Sequence, residues 1–144
     1  MKNIKELREI YLNQFPEDGL SEFEITEIEN ILGILLPNDF KEISKFFSGG
    51  SIGIINFYDF KRETSLNIID ETMRLRTVIN LPKNYVVLAE EAESIVLLDL
   101  KNHPSVIWCD SVEITNIATR EFANEPDYWE NFSDLFSEML ADEI

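Results

Sequence analysis

The sequence predicts an α+β fold: a single domain over residues 1–144, with a mainly antiparallel sheet of about five to six strands covered by N-terminal helices and a C-terminal helix. Three observations lead there. Apolar residues recur at helical spacing at both ends of the chain. From Pro82 onward, short apolar runs follow one another across tight turns, the pattern of antiparallel neighbours. The 144 residues contain no repeat, linker or low-complexity stretch, and their 44% hydrophobic content supports a core without metals or disulfides.

The first helix is expected over residues 2–15, where Ile4, Leu7, Tyr11 and Phe15 share a face. Pro16–Gly19 breaks it. A second helix starts at Ser21: Ser21 and Glu24 have capping-box spacing, and Leu20 and Ile25 stand at the staple positions on either side. Gly33 is its expected stop. Pro37 is expected in the first turn of a third helix, where its missing N–H costs nothing, with Phe40, Ile43 and Phe47 on one face. Gly49 and Gly50 then allow a sharp corner. Residues 52–59 alternate Ile52, Ile54, Asn56, Tyr58 with Gly53, Ile55, Phe57, Asp59. Both sets are mostly apolar, so a central strand covered on both faces is expected, or else a strand with one face used for binding.

Residues 63–76 read as a short helix with Leu66, Ile69 and Met73 inward. Lys61, Arg62, Arg74 and Arg76 are the one concentration of basic residues, assigned to internal charge balance. "NYVVLAEE" and "SIVLLDL" form a hairpin, "KNHP" is a turn, "SVIWCD" is a third strand and "VEITNIA" a fourth. "NEPD" precedes the last helix, where Trp129, Phe132, Phe136, Met139 and Leu140 make an apolar stripe.

Net charge is the strongest bulk signal: 12 basic against 28 acidic residues gives −16. Such a field repels phosphate, so neither nucleic acid nor an anionic membrane is an expected partner; a basic protein is. With a lone cysteine, Cys109, no apolar signal segment and no apolar run near roughly 18 residues, the cytoplasm is the expected compartment. Residues 121–144 hold Glu121, Glu125, Asp127, Glu130, Asp134, Glu138, Asp142 and Glu143, with no Lys or Arg beyond residue 120. Glu130, Asp134 and Glu138 fall at i, i+4, i+8, where like charges oppose a helix. Surface solubility is one reading of this bias. The other is an anionic face for a basic partner, with Asp127, Glu130, Asp134 and Glu138 as contact residues.

Catalytic motifs are missing: no phosphate loop, no paired-histidine zinc helix, no nucleophile elbow. No cofactor and no metal are expected. His103 reads as a surface turn residue, and Cys109 in "VIWCD" as a buried structural thiol. Glu90, Glu91 and Glu93 cluster at a strand end, as a solvated hairpin tip or as a carboxylate site.

Taken together, several segments resemble the SUKH superfamily, which includes fungal regulators of cell-wall glucan synthesis and many bacterial immunity proteins. The resemblance rests on Glu29 in "EIENILGILLP", Leu36-Pro37, Phe40, the Gly49-Gly50 corner, the strands "VVLAEE", "IVLLDL" and "PSVIWCD", and the closing "YWENFSDLFSEML". Leu36, Pro37, Phe40, Gly49, Gly50 and Trp108 match as fold-defining positions. The resemblance implies a non-enzymatic binding protein, foremost an immunity protein that neutralises a basic toxin, such as a nuclease, through its acidic surface. A regulator or scaffold in cell-wall or glucan synthesis is the alternative, and a small carboxylate-site enzyme the third.

Overall fold

A computed structural model describes residues Lys2–Glu143. Its elements are α1 (Ile4–Gln14), α2 (Glu22–Leu32), α3 (Asn38–Ser44), β1 (Gly50–Ile52), β2 (Ile55–Phe57), α4 (Ile68–Ile79), β3 (Tyr85–Glu90), β4 (Ser94–Asp99), β5 (Val106–Asp110), β6 (Asp127–Trp129) and α5 (Phe132–Ala141), with a 3-10 helix at Ser111–Asn116. The fold is α+β and single-domain. Its six strands fall into two antiparallel sheets, β1-β2 and β3-β4-β5-β6.

Local chemistry starts α1 and α2 where the sequence says. Ser21 Oγ accepts the Glu24 N–H and the Glu24 carboxylate accepts the Ser21 N–H (3.1 and 2.9 Å). Gly33 ends α2 at φ 67. A second capping box, Asn3 with Glu6, starts α1. Pro37 is not inside the first turn of α3: with ψ 149 it is the extended cap, and the helix begins at Asn38. Phe47 lies past the end of that helix, yet it is buried among Tyr11, Phe57, Phe60 and Phe136. Leu36 and Phe40 are buried too, Phe40 between Phe60 and Phe132 at 5.0 and 4.7 Å. A buried side chain of this size contributes roughly 1.5–3 kcal/mol, so this aromatic cluster is a large part of the hydrophobic load of the larger core.

Four expected elements differ. Residues 52–59 are a hairpin, not a central strand. Gly53, at φ 58, turns the chain back, so Ile52 pairs with Ile55. Ile54 then stands at the tip, 68% exposed. The expected helix over 63–76 begins at Ile68, because the Asn67 side chain caps the Asp70 N–H. That start turns Ile68, Ile69, Thr72 and Leu75 inward and leaves Leu66 and Met73 exposed. "VEITNIA" is the 3-10 helix, not a strand: its Glu113 is buried and its carboxylate accepts the Ala123 and Asn124 N–H groups. The fourth strand of the large sheet is β6, which takes Trp129 out of the last helix.

The four-stranded sheet is covered on both faces. Val86, Val96, Leu98 and Val106 pack toward α1–α3, α5 and the hairpin; Tyr85, Val87, Ile95, Leu97, Ile107 and Cys109 pack toward α4 and residues 114–122. A bulge between Val87 and Ala89 sets Leu88 on the first face beside Ala89. The Leu88 carbonyl accepts the Tyr58 N–H at 2.9 Å and Thr72 Oγ1 accepts the Val87 N–H, so the β3 edge is closed by its neighbours. Gly49 and Gly50 sit at φ 107 and 93; a Cβ on Gly49 would lie 2.4 Å from the Tyr58 carbonyl oxygen. The corner therefore needs glycine for space as well as conformation. Among the described residues no helix is long and apolar enough to cross a membrane.

Candidate functional site

β6 is the outermost strand of the large sheet, and its pairing builds the site. Trp108 stands opposite Asp127, and Val106 opposite Trp129. Trp108, Asp127 and Trp129 therefore share one face. The two indoles lie stacked at 6.4 Å, and Trp108 Nε1 donates to Ser94 Oγ at 2.7 Å, which fixes its ring. Both indoles are only half-buried. Trp108, expected as a fold-defining residue, thus also presents surface.

The hairpin and α5 close one side of this floor. Gly53 packs so tightly on Met139 that a Cβ there would come within 2.9 Å of its backbone. The Gly53 N–H donates to Glu143 Oε1 at 2.7 Å. The tip is thereby held beside α5, and Ile54, Trp108, Trp129 and Met139 line a cleft of about 280 Å³ with Asp127 and Glu138 on its rim. Across Trp108 and Asp127 a second recess of about 150 Å³ continues toward Asp110, Asn124 and Glu125. Asn124 Nδ2 donates to Asp110 Oδ2 at 3.1 Å. The two form one groove with an aromatic floor and four carboxylates: Asp110, Glu125, Asp127 and Glu138. All four are exposed, no Lys or Arg lines either part, and among the described residues none of the four is in an ion pair.

The structure divides the four expected contact residues. Asp127 and Glu138 meet at the groove. Glu130 and Asp134 do not line it. Glu130 precedes α5, so the expected i, i+4, i+8 ladder is only Asp134 and Glu138. The Glu130 carboxylate lies 3.3 Å from His103 Nδ1. Asp134 sits in the first turn beside Asp39; partial burial, then the Asp39 and Glu130 charges, hold its carboxyl above its ordinary range. Trp129, Asp110 and Glu125 are not among the expected contact residues, and Ile54 is expected at a site only under the alternative in which one face of residues 52–59 is used for binding. The signal for Trp129 was its aromatic character; its place in a strand rather than the helix hid its role.

The other candidates have structural partners. Arg74 bonds Glu71 and Glu90, Lys61 bonds Asp18, Arg62 bonds Asp70, and Arg76 donates to the Leu32 and Lys83 carbonyls. Glu90 and Glu91 border a cleft of about 470 Å³ with Tyr58, Asp59 and Leu66. Of these carboxylates, Glu90 pairs with Arg74 and Glu91 accepts the Asn56 N–H. Burial pushes the Tyr58 hydroxyl far above its usual range, with the Glu90 charge adding to it. Burial likewise pushes the Cys109 thiol up to about 11, and the His103 ring faces Glu130. No three His, Cys, Asp or Glu side chains among the described residues form a group that could hold a metal ion.

A family model described as SMI1/KNR4 (SUKH-1) matches residues 19–141, most of the chain and every element from α2 to α5. The chain belongs to the SMI1/KNR4 family. Comparison with curated proteins finds no match. Within the SMI1/KNR4 match, Glu29 shapes the turn into α3 at Leu36-Pro37. Its carboxylate accepts the Leu36 N–H at 2.8 Å and pairs with Lys41 at 3.1 Å. Helix α1 lies before the matched segment, yet Leu7 and Tyr11 pack into the same core.

Proposed function

We propose that the protein is a non-enzymatic binding protein that neutralises a basic toxin, and that the groove along β6 is part of its contact surface. One observation carries the reading: four exposed carboxylates, none of them in an ion pair among the described residues, line the groove around two half-buried indoles, in a chain of net charge −16. Aromatic anchors inside a polar rim are the usual anatomy of a binding surface. An acidic field speeds the approach of a basic partner and repels nucleic acid. A toxin that grips phosphate is basic, so an acidic inhibitor presents the field its substrate would.

Capture from the native organism, with washes at low and then high salt, tests this. The expected result is one basic partner weakened by salt. The double variant Asp127→Lys, Glu138→Lys should slow its association by about tenfold at low salt; unchanged kinetics would remove the groove from the contact surface. Members of the family that regulate glucan synthesis motivate the second reading. It predicts several envelope-synthesis partners, and sensitivity to wall stress in cells that lack the protein and meet no toxin.

A further inference from the structure

β6 is the short outer strand of the large sheet. Ser105 N–H donates to the Glu130 carbonyl at 3.1 Å. Bonded and non-bonded pairs alternate along an antiparallel ladder, so Tyr128 is the residue of β6 that bonds β5, opposite Ile107. The N–H and C=O groups of Asp127 and Trp129 therefore point away from the sheet. Sheet edges are usually blunted with lysines, prolines or a covering segment. Here the edge strand is short, Asp127–Trp129, directly after Pro126; it holds no lysine, and its one charge, Asp127, is acidic, which turns away acidic strands and not basic ones. At the far side of the sheet, by contrast, the β3 edge is bonded to Tyr58 and Thr72.

Resting on the reading above, we infer that the partner contributes an extended basic segment that pairs with β6 as an added strand. Its backbone meets the outward groups of Asp127 and Trp129. Alternate side chains fall over the groove, where a Lys or Arg stem lies on the indoles and its charged head reaches Asp127 and Glu138. Cation–π attraction and the four carboxylates select a basic side chain; the shallow floor beside Ile54 and Met139 accepts its methylenes.

Both tryptophans of the chain are in this groove, so intrinsic tryptophan emission reports on it directly. The probe is a short synthetic peptide of alternating Lys and Val, titrated into the full chain, beside the same peptide N-methylated on the face that would bond β6. Expected are a saturable change in emission, new hydrogen-exchange protection of the Asp127 and Trp129 amides, and binding at least about tenfold weaker after N-methylation. Asp127→Lys and Glu138→Lys, both exposed, should weaken the unmodified peptide by a similar factor. Equal binding of the methylated peptide, protection elsewhere, or no binding would overturn strand addition. If a captured basic partner still loses affinity on charge reversal while the peptide arm fails, the strand is wrong and the toxin-binding reading stands. If charge reversal leaves that partner unaffected, the groove is not its contact surface and strand addition at β6 falls, while the captured partner still supports toxin binding elsewhere on the chain.

Discussion

Removing Arg120 tests how the segment between β5 and β6 is held. Arg120 bonds Asp99 at 2.7 Å and the Pro104 carbonyl at 2.9 Å; the Asp99 side chain is fully buried and that of Arg120 is 19% exposed. Taking one partner from a buried pair typically costs about 3–5 kcal/mol, because the other charge stays buried. Asp99 keeps donors from Asn84, Lys101 and Asn102, which places Arg120→Ala toward the low end, about 3 kcal/mol. That is a large share of the roughly 5–15 kcal/mol a domain possesses. Arg120 also sits at φ 55, a conformation that strains any residue with a Cβ by about 1–2 kcal/mol. Arg120→Gly loses the same pair but relieves the strain, so it should be the more stable of the two, by about 0.5–1 kcal/mol after its larger unfolded-state entropy. Urea unfolding followed by tryptophan emission measures both. Arg120→Ala within about 0.5 kcal/mol of the parent, or Arg120→Gly below Arg120→Ala, would refute the reasoning. The pH dependence gives a second test. Burial pushes the Asp99 carboxyl up, but the bonds from Lys101, Asn84, Arg120 and Asn102 outweigh it and hold the group below its ordinary range. Its folded pKa is thus below the unfolded one, near about 3.9. The stability it contributes is present above that pH and is lost as pH falls through the folded value. Without Arg120 the folded pKa rises, so the acid limb should be shallower.

Glu29→Ala removes a charge-assisted acceptor from the Leu36 amide and should cost about 1.5–3 kcal/mol, whereas Glu29→Gln keeps an acceptor and loses mainly the Lys41 pair, about 1 kcal/mol or less; equal losses in urea unfolding would contradict this. Gly53→Ala meets the Met139 backbone at a positive φ and should destabilise by about 2 kcal/mol or more while shifting tryptophan emission in the folded state; a silent variant would show that the hairpin tip is not fixed on α5. The Cys109 thiol, pushed up to about 11 by burial, should resist alkylation at mildly alkaline pH until urea unfolds the chain, and prompt native labelling would count against its buried position.

Elements defined within a few residues were legible in the sequence. The Ser21 box, the Gly33 stop and the strands from Tyr85 to Asp110 depend on neighbours in the chain, and they stand where the pattern places them. The hairpin was not, because Gly53 between isoleucines reads equally as strand interior or turn, and its packing on Met139 is decided by α5, far along the chain. Strand β6 escaped notice because three residues carry no periodicity; pairing with β5 makes it a strand. The same non-local step created the groove. Sequence shows that residues 121–144 lack basic residues, but only the fold gathers Asp127 and Glu138 around the indoles and sends Glu130 and Asp134 elsewhere. The expected helix at 63–76 failed through phase: a cap at Asn67 rotates the buried face from Leu66 and Met73 to Ile68 and Leu75.

The unequal edges of the large sheet also bear on self-association. A ribbon of sheets grows without limit only if every copy offers two free borders. Here β3 is occupied by the chain's own Tyr58 and Thr72, so through the large sheet identical molecules can stack no further than a closed pair joined at β6. Even that pair would set one acidic margin against another, with Asp127 and Glu138 of each copy repelling their counterparts. The large sheet is thereby guarded against pairing with its own copies by topology on one flank and by charge on the other.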